Sequence, residues 1–261
     1  MAIFGLNVKT ISRLRGESAA KTAAYILREN LYDPYWKKTH YFSQVKDLMY
    51  SEILIPEEAP CQFHELGTLL KAIETAEKRY DARIGRVVRL TLPNDAEISD
   101  EERIKLAKNF INEAFIDQGI CAVLAIHKGE NVIPSKCNPH AHVMITDRQV
   151  DVNGFCGKKN RDWNKKERIY KWRKLWEEVQ NNFFLEKGME VRVSHRSLEV
   201  QGIDREPTRP LGREATALER KGIQTEQGNR NRAIEARYKE QEEKRVYQKE
   251  RRHKRDKARS R

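Results

Sequence analysis

The feature that most constrains the fold is a near-continuous apolar run, Ile120–Ile126, closed by His127. A run of this kind predicts a strand that is buried on both faces and therefore lies inside a sheet. A polar segment, 128–138, leads from it to a second apolar strand over Ala141–Thr146. The short connection favours antiparallel pairing of the two strands. The sequence therefore predicts a central hairpin around which the rest of the domain assembles.

Apolar periodicity predicts further elements around this hairpin. Alternating or continuous apolar residues predict strands over Ala2–Ser12, Ser51–Ile55, Arg86–Leu92 and Val191–Val193. Apolar residues at three- and four-residue intervals, or a good N-cap, predict helices over Ala19–Glu29, His64–Tyr80, Asp100–Gln118 and Asn160–Lys187. The aromatic, basic stretch Tyr32–Tyr50 predicts a loop or an edge hairpin. We predict an α+β domain with an antiparallel sheet of about five strands flanked by helices.

The positive charge is concentrated at the C-terminal end. Residues 213–261 hold 17 Lys+Arg against 9 Asp+Glu, which is +8 of the formal net charge of +12. Their few apolar side chains cannot build a core, whereas Glu, Lys, Arg and Gln suit a solvated helix. We predict a domain over 1–212 and a basic extension over 213–261, helical or disordered. The extension is either a solvated appendage or an arm that binds nucleic-acid phosphates, with these candidate contacts: Arg251, Arg252, Lys254 and Arg255.

Other bulk features exclude several protein classes. The sequence has no apolar run near the ~18 residues of a membrane span and no signal-peptide pattern, so we expect a cytoplasmic protein without membrane insertion. The cysteines are scattered without paired spacing, which argues against a disulfide scaffold or a zinc ribbon: Cys61, Cys121, Cys137 and Cys156. A sequence pI near 9.5 points to a polyanionic partner, most simply nucleic acid.

Three histidines meet around the predicted hairpin. His140 and His142 are two residues apart on one strand, so their side chains leave on the same face, and His127 closes the preceding strand. Three neutral imidazoles predict a site for a divalent cation that keeps open positions for substrate oxygen. The spacing alone leaves the reaction open, because a hydrolytic zinc could have the same ligands. A structural zinc site would need a fourth ligand, for which Cys137 is the nearby candidate.

A phosphodiester transferase would instead need a protein nucleophile beside the ion. Tyr25 is the candidate, because it lies on an alanine-rich helix that another element can approach closely. The alternative for Tyr25 is a core or boundary aromatic. Tyr32, Tyr35 and Tyr41 on the following aromatic stretch are competing nucleophiles.

Four motifs follow one another along the chain: Ser18–Tyr25 (SAAKTAAY), Ile53–Pro60 (ILIPEEAP), Asn138–Met144 (NPHAHVM) and His195–Gly202 (HRSLEVQG). As an ordered set they resemble the MobA/MobL relaxases of mobilizable plasmids, the MOBQ group of HUH endonucleases, over roughly Ala2–Asn231. The resemblance implies an antiparallel sheet with helices packed against it. It also implies a strand-specific cut at a plasmid transfer origin, followed by rejoining of the ends during mobilization.

The same resemblance assigns roles to residues and partners. Tyr25 would be the nucleophile, giving a 5′-phosphotyrosine bond and a free 3′-OH. His127, His140 and His142 would hold Mg²⁺ or Mn²⁺. The implied partners are transfer-origin DNA, single-stranded or supercoiled, together with accessory mobilization and coupling proteins. His195 and Arg196 would either contact phosphate or brace the loop after the last strand.

The chain departs from the family pattern in two places. Many relatives carry glutamates on the strand before a Leu-Pro, where this chain has arginines in Arg86–Pro93. The loop between the histidines is longer than in many relatives and contains Glu130 as a possible substitute, so the general base is left open. Two alternatives to a relaxase are a rolling-circle replication initiator, which usually has its tyrosine after the histidine motif, and a non-catalytic basic DNA-binding protein.

Overall fold

The computed structural model describes residues 4–129 and 138–259, and this part of the chain divides into two compact units, the first ending at His195 and the second beginning at Arg196. The strands are β1 (Leu6–Ser12), β2 (Leu31–Asp33), β3 (Lys38–His40), β4 (Leu48–Leu54), β5 (Arg83–Thr91), β6 (Ala122–His127), β7 (His140–Thr146), β8 (Gln149–Asp151) and β9 (Gly154–Cys156). The α-helices are α1 (Ala19–Leu27), α2 (Leu66–Ala76), α3 (Asp100–Ala114), α4 (Lys166–Glu186), α5 (Gly212–Arg220) and α6 (Glu226–Arg259).

The first unit has the predicted α+β architecture. Its main sheet has five antiparallel strands in the order β1-β5-β7-β6-β4. The central hairpin is confirmed, because β6 and β7 pair with each other and each also pairs with an outer neighbour. Every residue of β6 is buried. The apolar run that predicted this strand is therefore continuous because both of its faces are covered.

Helices cover the two faces of the sheet separately. On one face, α1 and α2 pack on a cluster that includes Ile11, Val123, Ala125 and Met144. On the other face, α3 and α4 pack on a larger cluster rich in tryptophan and phenylalanine. The helices thus follow from the alternation of side chains along each strand, which gives the sheet two apolar faces to bury.

Helix α1 packs closely against the sheet because its buried face is built from alanines. Ala19, Ala20, Ala23 and Ala24 are each almost fully buried. The helix begins where the Ser18 side chain accepts a hydrogen bond from the Lys21 backbone N–H at 3.0 Å, as its N-cap position predicted. Small side chains let the backbone of the helix reach the strands, and this close approach brings the C-terminal end of α1 to the functional site.

Three local features of the structure differ from the sequence-based expectation. Val191–Val193 forms no strand, because the Asn181 side chain of α4 satisfies both the N–H and the carbonyl of Val193, at 2.9 and 3.0 Å. The aromatic stretch contains the small hairpin β2–β3, one of its two predicted forms, but β4 begins at Leu48, earlier than the predicted Ser51. The hairpin β8–β9, with strands of three residues each, was not predicted because such short strands have no periodic pattern to recognise.

The second unit consists mainly of α5 and α6. The Glu219 side chain joins them by accepting hydrogen bonds from the Thr225 N–H at 2.7 Å and from Arg232 at 2.9 Å. The basic extension is therefore helical over most of its described length, while its boundary at residue 213 stays a prediction. In neither unit is any described helix long and apolar enough to cross a membrane.

The first unit contains a buried ion pair between Arg86 of β5 and Asp147 after β7, with the two residues 2% and 4% exposed. Arg86 also donates to the Asn164 side chain at 2.9 Å. Asp147→Ala should lower the free energy of unfolding by about 3–5 kcal/mol, because it leaves the Arg86 charge buried without its partner. Urea unfolding followed by circular dichroism measures the loss.

The matched control for this prediction is Lys174→Ala, which breaks an exposed ion pair with Glu178 on α4. Its stability should change little, since exposed pairs are solvated and contribute weakly. Equal losses in the two variants would contradict the assignment of the buried pair as a stability determinant.

Candidate active site

The register of the central hairpin brings the three histidines together. His127, the last residue of β6, lies opposite His140, the first residue of β7, and His142 follows on the same face. The ring centroids are 5.3 Å apart for His127 and His140, 4.9 Å for His127 and His142, and 5.0 Å for His140 and His142. One nitrogen from each ring lies within 4.8 Å of the others. The predicted triangle of imidazoles is thus formed by strand pairing alone.

The surroundings keep the imidazoles neutral. Burial lowers the pKa of all three rings, to about 4 for His140 and about 2 for His142, and nearby guanidinium groups of Arg28 and Arg89 act in the same direction. Neutral imidazoles keep the lone pairs that a metal ion needs, whereas imidazolium would repel it. At neutral pH the three imidazoles are therefore uncharged and offer lone pairs to a metal ion.

Hydrogen bonds fix which nitrogens keep lone pairs. His140 donates from Nδ1 to the Asn138 carbonyl at 2.9 Å, which leaves Nε2 as an acceptor. His127 donates from Nε2 to the Ile26 carbonyl at 2.7 Å, so its Nδ1 has the lone pair, which accepts from the Arg28 Nη2 at 3.1 Å. An ion bound at this nitrogen would replace that hydrogen bond. The His142 Nδ1 is buried without a hydrogen-bond partner among the described residues. The three neutral imidazoles form a set of nitrogen ligands that suits a divalent ion. One of them has a buried nitrogen with no hydrogen-bond partner among the described residues.

Tyr25 lies near the C-terminal end of α1, beside this cluster. Its ring packs edge-on against His142, with centroids 5.8 Å apart, and against Phe42 at 5.6 Å. The next residue, Ile26, supplies the carbonyl that holds His127. Although packed on two sides, Tyr25 is 44% exposed. The helix thus presents a tyrosine that touches the histidine cluster and is still open to a substrate.

The structure adds a carboxylate that sequence reasoning missed. Asp47 lies just before β4, and its Oδ2 is 4.0 Å from the His127 Nδ1. Both of its oxygens accept from Arg28, at 2.7 and 3.0 Å. Burial alone would raise the pKa of Asp47, but the hydrogen bonds from Arg28 outweigh it and hold the pKa below its usual value. Asp47 is therefore an ionised partner of Arg28, and only the pairing of β4 with β6 reveals its position.

The position that departs from the family pattern is also close to the cluster. Arg89 of β5 pairs in register with His142 of β7 and is exposed on the same face. Its guanidinium forms no hydrogen bond or ion pair with residues 4–129 or 138–259. The neighbouring strand therefore contributes a cation where many relatives were expected to carry a carboxylate. Glu130 and Cys137, proposed as a substitute base and a fourth ligand, lie outside the described residues.

The other predicted contact residues lie apart from this cluster. His195 is buried, where its backbone N–H donates to Glu177 at 2.6 Å and its Nδ1 also contacts that carboxylate. Tyr170 packs edge-on against its ring at 4.8 Å. Both partners belong to α4, on the opposite face of the sheet from α1, so His195 braces the end of the first unit. Its contact with phosphate stays a prediction.

Arg196 is exposed at the start of the second unit. The remaining predicted contacts lie on α6, where their side chains are outside the described structure: Arg251, Arg252, Lys254 and Arg255. DNA binding by these five residues stays a prediction.

The antiparallel sheet, with its histidine-bearing central hairpin and helices on both faces, is the α+β fold that the family resemblance implies. The chain belongs to the MobA/MobL family, whose model matches residues 17–221. The match spans the tyrosine helix, the histidine strands and the beginning of the second unit.

Individual relatives agree with this membership. The chain is 28% identical to the probable mobilization protein MobA of Bifidobacterium longum, over 90% of this chain and 47% of that protein. It is 27% identical to the mobilization protein MobL of Acidithiobacillus ferridurans, over 85% of this chain and 65% of that protein. The chain therefore spans about half to two thirds of these relatives.

A solved structure described as the molecular basis of vancomycin resistance transfer in Staphylococcus aureus has a similar fold. It superimposes with a TM-score of 0.67 at 32% identity and covers 75% of this chain and 100% of that chain. This likeness supports the antiparallel sheet and its flanking helices as the common framework.

We expect the histidine cluster to bind one divalent ion. His142→Ala and His140→Ala should each abolish calorimetric binding of Mn²⁺, because two imidazoles hold an ion far less tightly than three. The matched control is His64→Ala, which removes an exposed histidine after β4 and should leave Mn²⁺ affinity unchanged. Unchanged affinity in both cluster variants would exclude the site, provided that their circular dichroism spectra match the wild type.

Proposed function

We propose that this protein is a DNA relaxase that nicks one strand at a plasmid transfer origin and rejoins the ends during conjugative mobilization. The observation that carries the proposal is the contact between Tyr25 and His142, which joins an exposed phenol to three neutral imidazoles. Membership of the MobA/MobL family agrees with it. Neither a hydrolytic nuclease nor a binding protein requires a tyrosine at this place.

In this proposal the histidine cluster binds the reacting phosphate through a divalent ion, Mg²⁺ or Mn²⁺. The ion, held by His127, His140 and His142, would neutralise the charge that develops on the phosphate oxygens. The chain's part is to keep the imidazoles neutral by burial and to fix their rings through the carbonyls of Ile26 and Asn138. Arg89 adds positive charge on the same face.

Tyr25 supplies the nucleophile. Its phenolic oxygen forms a bond to phosphorus while the bond from phosphorus to the 3′ oxygen breaks, which gives a 5′-phosphotyrosine and a free 3′-OH. Because the ester conserves the energy of the phosphodiester, the 3′-OH can attack it later and restore the strand without ATP. Packing against Phe42 and His142 restricts the ring before substrate binds, which reduces the entropy lost on reaching the reactive geometry.

The relaxase is favoured over the alternatives. Tyr25 precedes the histidine motif in the chain, whereas a rolling-circle initiator usually has its tyrosine after it. A non-catalytic basic DNA-binding protein would have no need to keep three buried imidazoles in one cluster. We further propose transfer-origin DNA, accessory mobilization and coupling proteins as partners, and the cytoplasm as the place of action.

Tyr25→Phe should abolish nicking without loss of stability, because it removes one oxygen from an exposed position and keeps the ring. With wild type, Mg²⁺ and an oligonucleotide that contains the cleavage site, denaturing gels should show that only the 3′-labelled fragment carries protein. Peptide mapping should place the adduct in residues 22–28. Tyr32→Phe, the matched control on a competing tyrosine, should still form the adduct.

The outcomes of this experiment separate the candidate functions. An adduct that persists in Tyr25→Phe would mean that another tyrosine is the nucleophile. Cleavage by wild type without any adduct would identify a hydrolytic nuclease and overturn the relaxase proposal.

We also propose that the distal part of α6 binds DNA phosphates. Replacing Arg251 and Arg252 with glutamine should weaken binding and reduce the slope of log K against log salt concentration by about 0.7 for each lost contact with a single strand. Glutamine keeps the helix propensity, so only the charge changes. Fluorescence anisotropy at several salt concentrations measures the slope.

The control replaces Lys239 and Lys244 of the same helix with glutamine. These lysines form ion pairs with Glu243 and Glu240. This variant loses the same charge from a region where acidic neighbours already balance it, so its slope should change less. Equal slopes in wild type and the Arg251/Arg252 variant would mean that the end of α6 is only a solvated extension.

A further inference from the structure

Arg28 occupies a backbone conformation that its residue type disfavours. It is the C-cap of α1, with φ 57° and ψ 39°, and its N–H closes the helix on the Ala24 carbonyl. In the part of the chain that the structure describes, the residues other than glycine with positive φ are Arg28 and Lys37. A glycine would adopt this left-handed conformation without the clash of a Cβ atom. Because Arg28 keeps this conformation beside the candidate site, the contacts of its side chain are of interest.

The Arg28 side chain contacts three residues of the candidate site: Asp47, Tyr25 and His127. It donates to both oxygens of Asp47, at 2.7 and 3.0 Å, and to the Tyr25 carbonyl at 2.8 Å. Its guanidinium lies over the Tyr25 ring, 4.7 Å from the centroid. Its Nη2 lies 3.1 Å from the His127 Nδ1. The planar fork thus faces the tyrosine, a cluster histidine and an ionised carboxylate at once.

These contacts support the Tyr25 ring on three sides. His142 and Phe42 meet the ring edge-on, and Arg28 meets its π-face. Asp47 holds the guanidinium at two points, so Arg28 cannot turn away without breaking a bidentate pair. The Arg28 side chain lies back against the last turn of α1, where it contacts the Tyr25 carbonyl and ring. A ring supported in this way meets the substrate already oriented.

We propose that Arg28 is a positioning residue, which with Asp47 holds the Tyr25 ring against the histidine cluster for attack on the phosphodiester. This inference rests on the proposed function, since it concerns the nucleophile of that reaction. Arg28 itself forms and breaks no covalent bond. Its loss should therefore slow the chemical step and leave DNA binding unchanged.

The decisive variant is Arg28→Gly, because glycine suits the left-handed backbone and removes only the side chain. Its single-turnover rate of adduct formation should fall about 100-fold, as expected when a reacting group loses its orientation. The apparent KM for the oligonucleotide should stay within about twofold of wild type. Arg28→Lys keeps the charge but not the planar fork, so it should recover only part of the rate.

The matched control is Lys37→Gly, which relieves the same backbone conformation in the exposed turn between β2 and β3. It should leave the rate of adduct formation unchanged. Thermal unfolding of both glycine variants shows whether the fold has survived. Calorimetric binding of Mn²⁺ gives a second readout. Because the Arg28 Nη2 donates to the His127 Nδ1 that would bind the ion, removing the side chain should leave the Mn²⁺ affinity unchanged or raise it.

The outcomes distinguish failure of this inference from failure of the proposed function. If wild type forms no adduct, the relaxase proposal fails and the inference falls with it. If wild type forms the adduct and Arg28→Gly forms it equally fast, only the positioning role is overturned. If the rate, the melting temperature and the Mn²⁺ affinity of Arg28→Gly all fall together, Arg28 is a structural brace and the inference is also wrong.

Discussion

The register between β6 and β7 is the constraint on which the rest of the site depends. Strand side chains alternate between faces, so a slip of one residue would turn His140 and His142 away from α1. The buried residues of β7 fix the register, because the strand is buried on both faces and a slip would require all of its side chains to repack. The strands that build the core therefore also determine where the imidazoles meet. Stability and placement of the site are set by one interaction.

Close packing of α1 places Tyr25, the proposed nucleophile, beside this histidine cluster. Alanines on the buried face bring the helix backbone near enough for the Ile26 carbonyl to accept a hydrogen bond from His127. One residue earlier, Tyr25 contacts His142. Larger residues on that face would hold the helix farther from the sheet and separate both contacts. The same close approach helps to bury the imidazoles. Burial lowers their pKa, so they stay neutral and keep lone pairs for a metal ion.

The parts of the site that depend on local patterns were predictable, and those that depend on long-range pairing were not. The spacing of His140 and His142 fixes a common face, and Ser18 with the following alanines defines α1. Asp47 gave no such signal, because its position beside His127 depends on the pairing of β4 with β6. The expected strand over Val191–Val193 fails for a similar reason. A side chain from a distant helix, and not a strand, satisfies its backbone.

The balance of charge at the site suits the phosphodiester that the proposed function places there. Its three imidazoles are neutral, and its one described carboxylate, Asp47, is paired with Arg28. Arg89 on the neighbouring strand has no ionic partner among the described residues, so the side of the cluster that it occupies is net positive before any metal binds. A carboxylate in place of Arg89 would bind an ion more strongly but would repel the phosphate. In the proposed function, Arg89 would therefore supply part of the electrostatic attraction for DNA that the metal ion would otherwise supply alone.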